Sequence, residues 1–187
     1  SAGALRGTVK NSKFITTTAS VYDVEFSNVA TDIRFEGCTF SHTSTAWGFL
    51  INTRNITAGS ACTFDNCTFT TNQQFMRCET ADPSHNNTMK FNNCGFTTAK
   101  YAIVTNGTGL EFTGSGTRIN STGNFIWDNT QDSPVTFGYG IRFSKNTGLS
   151  NGCAALTAVQ SALVKDGLLP DTFPYVYTTN VEVKFNY

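Results

Sequence analysis

Phe35-Glu36-Gly37-Cys38-Thr39-Phe40 returns as Phe64-Asp65-Asn66-Cys67-Thr68-Phe69 and again as Phe91-Asn92-Asn93-Cys94-Gly95-Phe96. The copies begin 29 and 27 residues apart, at positions 35, 64 and 91. A period of that size marks a solenoid in which each copy is one unit stacked on the next. Weaker copies flank the clear ones: Val9 to Phe14, Phe112 to Thr117 and, most degenerate, Phe137 to Arg142.

Aligning the copies produces columns. Gly7, Ile33, Cys62, Met89, Leu110 and Val135 form one. Val9, Phe35, Phe64, Phe91, Phe112 and Phe137 form the next, two residues on. Apolar positions two apart with polar ones between have the period of a strand with one buried face. Asn11, Gly37, Asn66, Asn93 and Gly114 follow, residues that tolerate the left-handed backbone of a bend. Ser12, Cys38, Cys67, Cys94 and Ser115 close the unit in this alignment. A second strand signal follows in each unit: Phe49-Leu50-Ile51, Phe75-Met76-Arg77-Cys78, Tyr101-Ala102-Ile103-Val104 and Phe125-Ile126-Trp127. Two strands per turn with no helical segment between them predict an all-β chain, a right-handed parallel β-helix of about five to six coils between Gly7 and Phe143.

A chain of 187 residues is long enough for a substantial core, and one elongated domain is the simplest count. The formal net charge is zero and only 14% of residues are charged, which argues against nucleic acid as a partner. No apolar run approaches the ~18 residues of a membrane-spanning helix. Ser1-Ala2-Gly3-Ala4 reads as a boundary rather than a signal peptide. Of six cysteines, three share one column and Cys62 sits where other coils place Ile, Met, Leu or Val. They read as buried free thiols, because stacked neighbours point the same way and suit a disulfide poorly. No CxxC occurs and His42 and His85 are the only histidines, so neither a zinc site nor any cofactor is expected. Sequons such as Asn66-Cys67-Thr68 and Asn120-Ser121-Thr122 are read as incidental in so Asn/Thr-rich a chain.

The period fades near Thr147, which divides the chain into a β-helix over 1–147 and a cap over 148–187. Gly152 to Leu169 is predicted as a helix, with Leu156, Val159, Leu163 and Val164 on its apolar face. Val181, Val183, Phe185 and Tyr187 then alternate as a terminal strand. A solenoid end has unpaired backbone and needs such a cover.

The Phe-x-Asn-Cys-Thr-Phe phrase resembles right-handed β-helix proteins of the pectin-lyase-like superfamily, among them phage tailspikes and surface adhesins, over roughly residues 7 to 143. The segment Ala154 to Pro170 is similar to a short helix near the ends of some phage tail and fibre proteins. These resemblances imply a virion or extracellular protein that attaches to host glycans, most simply as a homotrimer. Two alternatives stay open: a polysaccharide lyase or glycoside hydrolase of the same fold, and a monomeric cell-surface adhesin module. The glycosidase signatures Asn-Thr-Asp, Asp-Asp, Gly-His-Gly and Arg-Ile-Lys are missing, Arg118-Ile119-Asn120 coming nearest.

The catalytic candidates are Glu36 and Asp65, which share an outward column one strand spacing apart. Retaining glycosidases hold two carboxyls about 5 Å apart. The competing expectation is an outward ladder neutralised by Arg34 and Lys90. Trp47, Arg77, Tyr101, Trp127 and Asp128 are the ligand-binding candidates, with the tryptophans suited to stacking on sugars. The second strand looks apolar on both faces. Phe49, Phe75, Tyr101 and Phe125 lie on one face, and Leu50, Met76, Ala102 and Ile126 on the other. One face should therefore be covered by a loop or a neighbouring subunit.

Overall fold

The computed structural model describes residues 5–18, 22–27, 31–44, 49–54, 61–72, 74–79, 87–98, 103–106, 108–121, 124–128, 135–138, 141–143, 148–149, 154–155, 176–177 and 181–184. These residues are all-β, and the main sheets are parallel. The first sheet stacks β1 (Leu5–Lys10), β4 (Thr31–Glu36), β7 (Ala61–Asp65), β10 (Asn87–Asn92), β13 (Thr108–Thr113) and β16 (Val135–Gly138) in that order. The second stacks β2 (Lys13–Thr16), β5 (Thr39–His42), β8 (Thr68–Thr71), β11 (Gly95–Thr98), β14 (Arg118–Ser121) and β17 (Arg142–Phe143). The third stacks β3 (Tyr22–Ser27), β6 (Phe49–Arg54), β9 (Gln74–Glu79), β12 (Ile103–Asn106), β15 (Asn124–Asp128) and β18 (Gly148–Leu149). Each repeat thus supplies one strand to each sheet, always in the same sequence.

Three strands per repeat replace the two expected. The extra division falls at the Asn/Gly position. Asn11, Asn66 and Asn93 have φ of 50°, 53° and 51°, and Gly37 and Gly114 have 62° and 85°. A left-handed residue reverses the side-chain alternation, so the second half of the hexad becomes a separate strand of the second sheet. Backbone bonds carry the stacking through the bend: Thr39 N–H donates to Ser12 O, Thr68 to Cys38 O, Gly95 to Cys67 O and Arg118 to Cys94 O, at 2.9–3.0 Å. This series places Thr117, not Ser115, after Cys94 in the small-residue column. Gly114-Ser115-Gly116 inserts two residues at the bend; Ser115 is exposed while Thr117 is fully buried.

The first sheet keeps the expected columns, with Ile33, Cys62, Met89 and Leu110 in register and Phe35, Phe64, Phe91 and Phe112 beside them. Phe35, Phe64, Phe91 and Phe112 stack ring on ring at centroid spacings of 5.0 Å. Phe14, Phe40, Phe69 and Phe96 form a second stack at 4.8–5.0 Å. The two stacks meet edge to face, as Phe64 does with Phe69 at 5.5 Å. Parallel strands lie ~4.8 Å apart, so stacked phenyl rings meet near their contact distance at every rung.

In the third sheet the register differs from the expected one. Phe49 stands beside Gln74 rather than Phe75, and Met76 beside Ile51 and Ile103. The aligned column is Val24, Ile51, Met76, Ile103, Ile126 and Leu149. Phe75 and Phe125 nonetheless reach the interior: Phe75 packs against Phe69, Phe91 and Phe96, and Phe125 against Phe96 and Phe112. Phe75, Met76 and Phe125 are all fully buried within one chain. At adjacent Phe75 and Met76 both faces of this strand are thus buried, and no neighbouring subunit is needed to cover either of them.

At the far end β19 (Ala154–Ala155) pairs antiparallel with β20 (Val176–Tyr177), and β21 (Val181–Lys184) adds to the first sheet beside β16. The terminal strand is present as expected over Val181–Lys184. Ala154 and Ala155, read as part of the helix, are extended; the rest of the expected helix, 156–169, lies outside the described residues.

Cys38, Cys67 and Cys94 are free thiols at most 1% exposed, and Cys62 is fully buried. Each column thiol has two backbone carbonyls as acceptors within 3.3–3.5 Å, one two residues back and one on the preceding repeat: Asp65 O and Phe35 O for Cys67, Asn92 O and Phe64 O for Cys94. Hydrogen bonding to the Cys67 thiol, then burial, pushes the Cys94 thiol far above its ordinary range. Because all three column thiols are buried, a thiol reagent is expected to leave Cys38, Cys67 and Cys94 unmodified in the native protein and to titrate all three after denaturation. Cys67→Ser is expected to cost about 1–2 kcal/mol in chemical denaturation, since Thr117 shows that the column accepts a hydroxyl.

Candidate functional site

The outer face of the first sheet carries a polar ladder. Lys10, Glu36, Asp65, Asn92 and Thr113 stand in register on five successive strands. Lys10 Nζ lies 2.7 Å from Glu36 Oε2. Arg34 Nε sits between the two candidate carboxylates, 3.0 Å from Glu36 Oε1 and 2.8 Å from Asp65 Oδ2. Asn92 Nδ2 donates to Asp65 Oδ1 at 3.1 Å, and Thr113 Oγ1 donates to Asn92 Oδ1 at 3.3 Å. The parallel register causes this: same-face residues on neighbouring strands come within reach of one another at each rung. Lys90 contributes differently from expectation, lying 3.7 Å from Glu111 instead.

The structure does bring Glu36 and Asp65 together, but binds them to one guanidinium. Asp65 is 6% exposed, and its Oδ2 accepts no aligned hydrogen bond, leaving the Arg34 charge to compensate it. The Lys10 hydrogen bond, then the Lys10 and Arg34 charges, outweigh desolvation and hold the Glu36 carboxyl below its ordinary value of 4.5. A glycosidase acid needs the opposite shift, so Glu36 is unsuited to proton donation near neutral pH.

The pH consequence has a definite sign. A carboxyl with a lowered folded-state pKa contributes stability that is fully present above its unfolded value and is lost as pH falls through the folded one. Chemical denaturation midpoints should therefore hold steady above pH ~4.5 and fall below it. Lys10→Met should flatten the Glu36 part of that fall. Arg34→Met, which strips Asp65 of its cation, should cost about 1–3 kcal/mol at pH 7.

Of the ligand-binding candidates, Trp47 and Tyr101 lie outside the described residues. Arg77 is half-buried on β9, in register with Asn52 and Val104. Val104 pairs in turn with Asp128, while Trp127 is the residue that the register skips between Ile126 and Asp128. Arg77 and Asp128 thus occupy one column two strand spacings apart, and Trp127 stands at the register shift beside it.

A surface that the sequence reading passed over lies on the second sheet. Its outward positions form two columns: Lys13, Thr39, Thr68, Gly95 and Arg118, and Ile15, Ser41, Thr70, Thr97 and Asn120. Thr68, Thr70, Thr97 and Asn120 are exposed, Thr39 and Ser41 half-buried. Thr68 Oγ1 donates to Thr39 Oγ1 at 3.3 Å, and Asn72 Nδ2 donates to Thr43 O at 2.9 Å. The signal was present in the period-two spacing of Thr39-Phe-Ser41-His-Thr43 and Thr68-Phe-Thr70-Thr-Asn72. Among the described residues no group of His, Cys, Asp or Glu is arranged to hold a metal, and no helix is long and apolar enough to cross a membrane. No protein-family model, curated protein or solved structure matches this chain significantly.

Proposed function

We propose that the chain is a right-handed parallel β-helix acting as a non-catalytic recognition module for surface glycans, of the kind carried on phage tailspikes and fibres. The fixed order in which each repeat feeds three parallel sheets supports the fold. The observation that carries the function is the contrast between two outer faces. Glu36 and Asp65 of the first sheet are held by Lys10, Arg34 and Asn92. The second sheet presents rows of hydroxyl and amide groups, which donate and accept as sugar hydroxyls do. A regular hydroxyl surface without a positioned acid suits binding better than cleavage.

Host attachment as a homotrimer belongs to the same proposal, since several weak sites on one rigid body raise avidity. The contact would use a surface other than Phe75, Met76 and Phe125, which the chain already buries. The test is calorimetry of the full chain against a panel of bacterial surface polysaccharides, with reducing-end release followed in parallel. Binding without release is expected, weakened at least tenfold by Thr70→Val with Thr97→Val. Release of reducing ends would move the assignment to a glycoside hydrolase or lyase. A 20.3 kDa monomer by light scattering would favour the adhesin module over the trimeric spike.

A further inference from the structure

The interior of the second sheet has two columns of unlike chemistry. One is Phe14, Phe40, Phe69, Phe96 and Ile119. The other, two residues on, is Thr16, His42, Thr71 and Thr98, polar on each of these rungs. His42 is 0% exposed, Thr71 and Thr98 2% each. Both imidazole nitrogens of His42 lack a hydrogen-bond partner, and so does Thr98 Oγ1 two repeats further on. A neutral imidazole carries one donor and one acceptor, so His42 is left unsatisfied in either tautomer. Buried polar groups are otherwise almost always paired, and two separate failures in one column need a common cause.

We propose that ordered water is bound inside the stack along this column, at His42 and at Thr98. The occupant must donate to one atom and accept from another, because a histidine nitrogen pair and a hydroxyl require both. It must be neutral, since the column contains no acid or base besides the imidazole. It must fit between strands ~4.8 Å apart. Water meets all three conditions. A metal ion does not, because His42 belongs to no cluster of three or more His, Cys, Asp or Glu among the described residues. Room for it follows from the side chains: threonine fills at Thr71 and Thr98 a column position that holds a whole imidazole at His42. Water so placed would tie neighbouring strands of the second sheet together through their side chains, adding a polar seam to an aromatic core.

The test uses the intact chain. Oxygen-17 magnetic relaxation dispersion reports the number of long-lived internal waters. A signal is expected for the native protein, reduced by His42→Phe and by Thr98→Val, and unchanged by Thr97→Val on the outward side of the same strand. An unchanged signal in both inward variants would overturn the proposal. Should those variants fail to fold, the unmodified protein still decides. Cross-relaxation between long-lived water and the His42 ring protons and Thr98 methyl is expected in its NMR spectra, and its absence at both residues would reject internal water there.

Discussion

Phe64→Ala is expected to lower the unfolding free energy by about 3–5 kcal/mol, measured by chemical denaturation. Phe64 is fully buried, stacks on Phe35 and Phe91 at 5.0 Å each, and meets Phe40 and Phe69 edge to face at 5.7 and 5.5 Å. The truncation removes four ring contacts and leaves a cavity that stacked neighbours cannot close without shifting whole strands. Thr63→Ala, one residue away on the opposite face, should change stability by only about 0.5 kcal/mol. Equal effects for the two substitutions would show that β7 does not present Phe64 to the core.

Gly114→Val should be the second severe change, at about 2–4 kcal/mol. Gly114 has φ +85°, a region that β-branched residues almost never occupy. Space is lacking as well: a Cβ there would come against Asn93 Oδ1 and within 2.6 Å of Asn92 Oδ1. Neither amide is free to yield, because Asn93 Oδ1 accepts the Gly116 N–H at 3.0 Å and Asn92 Oδ1 accepts the Thr113 hydroxyl. Gly95→Ala is the control. Its Cβ would meet only Thr68 Cγ2, at 3.8 Å, so the substitution should be neutral or slightly stabilising. A loss at Gly95 as large as at Gly114 would mean that glycine is needed for something other than the bend.

Both predictions bear on how far the fold could be read in advance. The columns of the first sheet, from Ile33 and Phe35 to Leu110 and Phe112, follow from alternation within six residues, and the structure reproduces them rung for rung. The bends follow from residue type, since Asn and Gly are the residues that accept positive φ. Burial of Cys38, Cys67 and Cys94 follows from their shared column.

The site was legible only in part. That Glu36 and Asp65 are neighbours, and that Arg34 neutralises them, was readable from the period, but the Lys10 contact was not, and Lys90 pairs with Glu111 instead. Lys10 reaches Glu36 because side chains on neighbouring strands converge, a matter of side-chain reach rather than spacing. Similarly, Ser115 looked like the continuation of the cysteine column until the backbone bonds of the bend put Thr117 there. The aromatic leaders of the third sheet misaligned for a related reason. Linking segments differ in length between repeats, so matching Phe49 to Phe75 by residue type misses the alignment made by Ile51, Met76 and Ile103.

By itself, then, the sequence determined what a local rule can carry: a repeating unit, its buried face, its bend and its all-β character. Only the tertiary structure decided the division into three sheets, the register of the third, the partners of Lys10 and Lys90 and the unpaired imidazole of His42. The physical reason is that alternation and positive φ are properties of a few consecutive residues. Register and ion pairing depend instead on what the next strand presents, some 25 residues away in the chain.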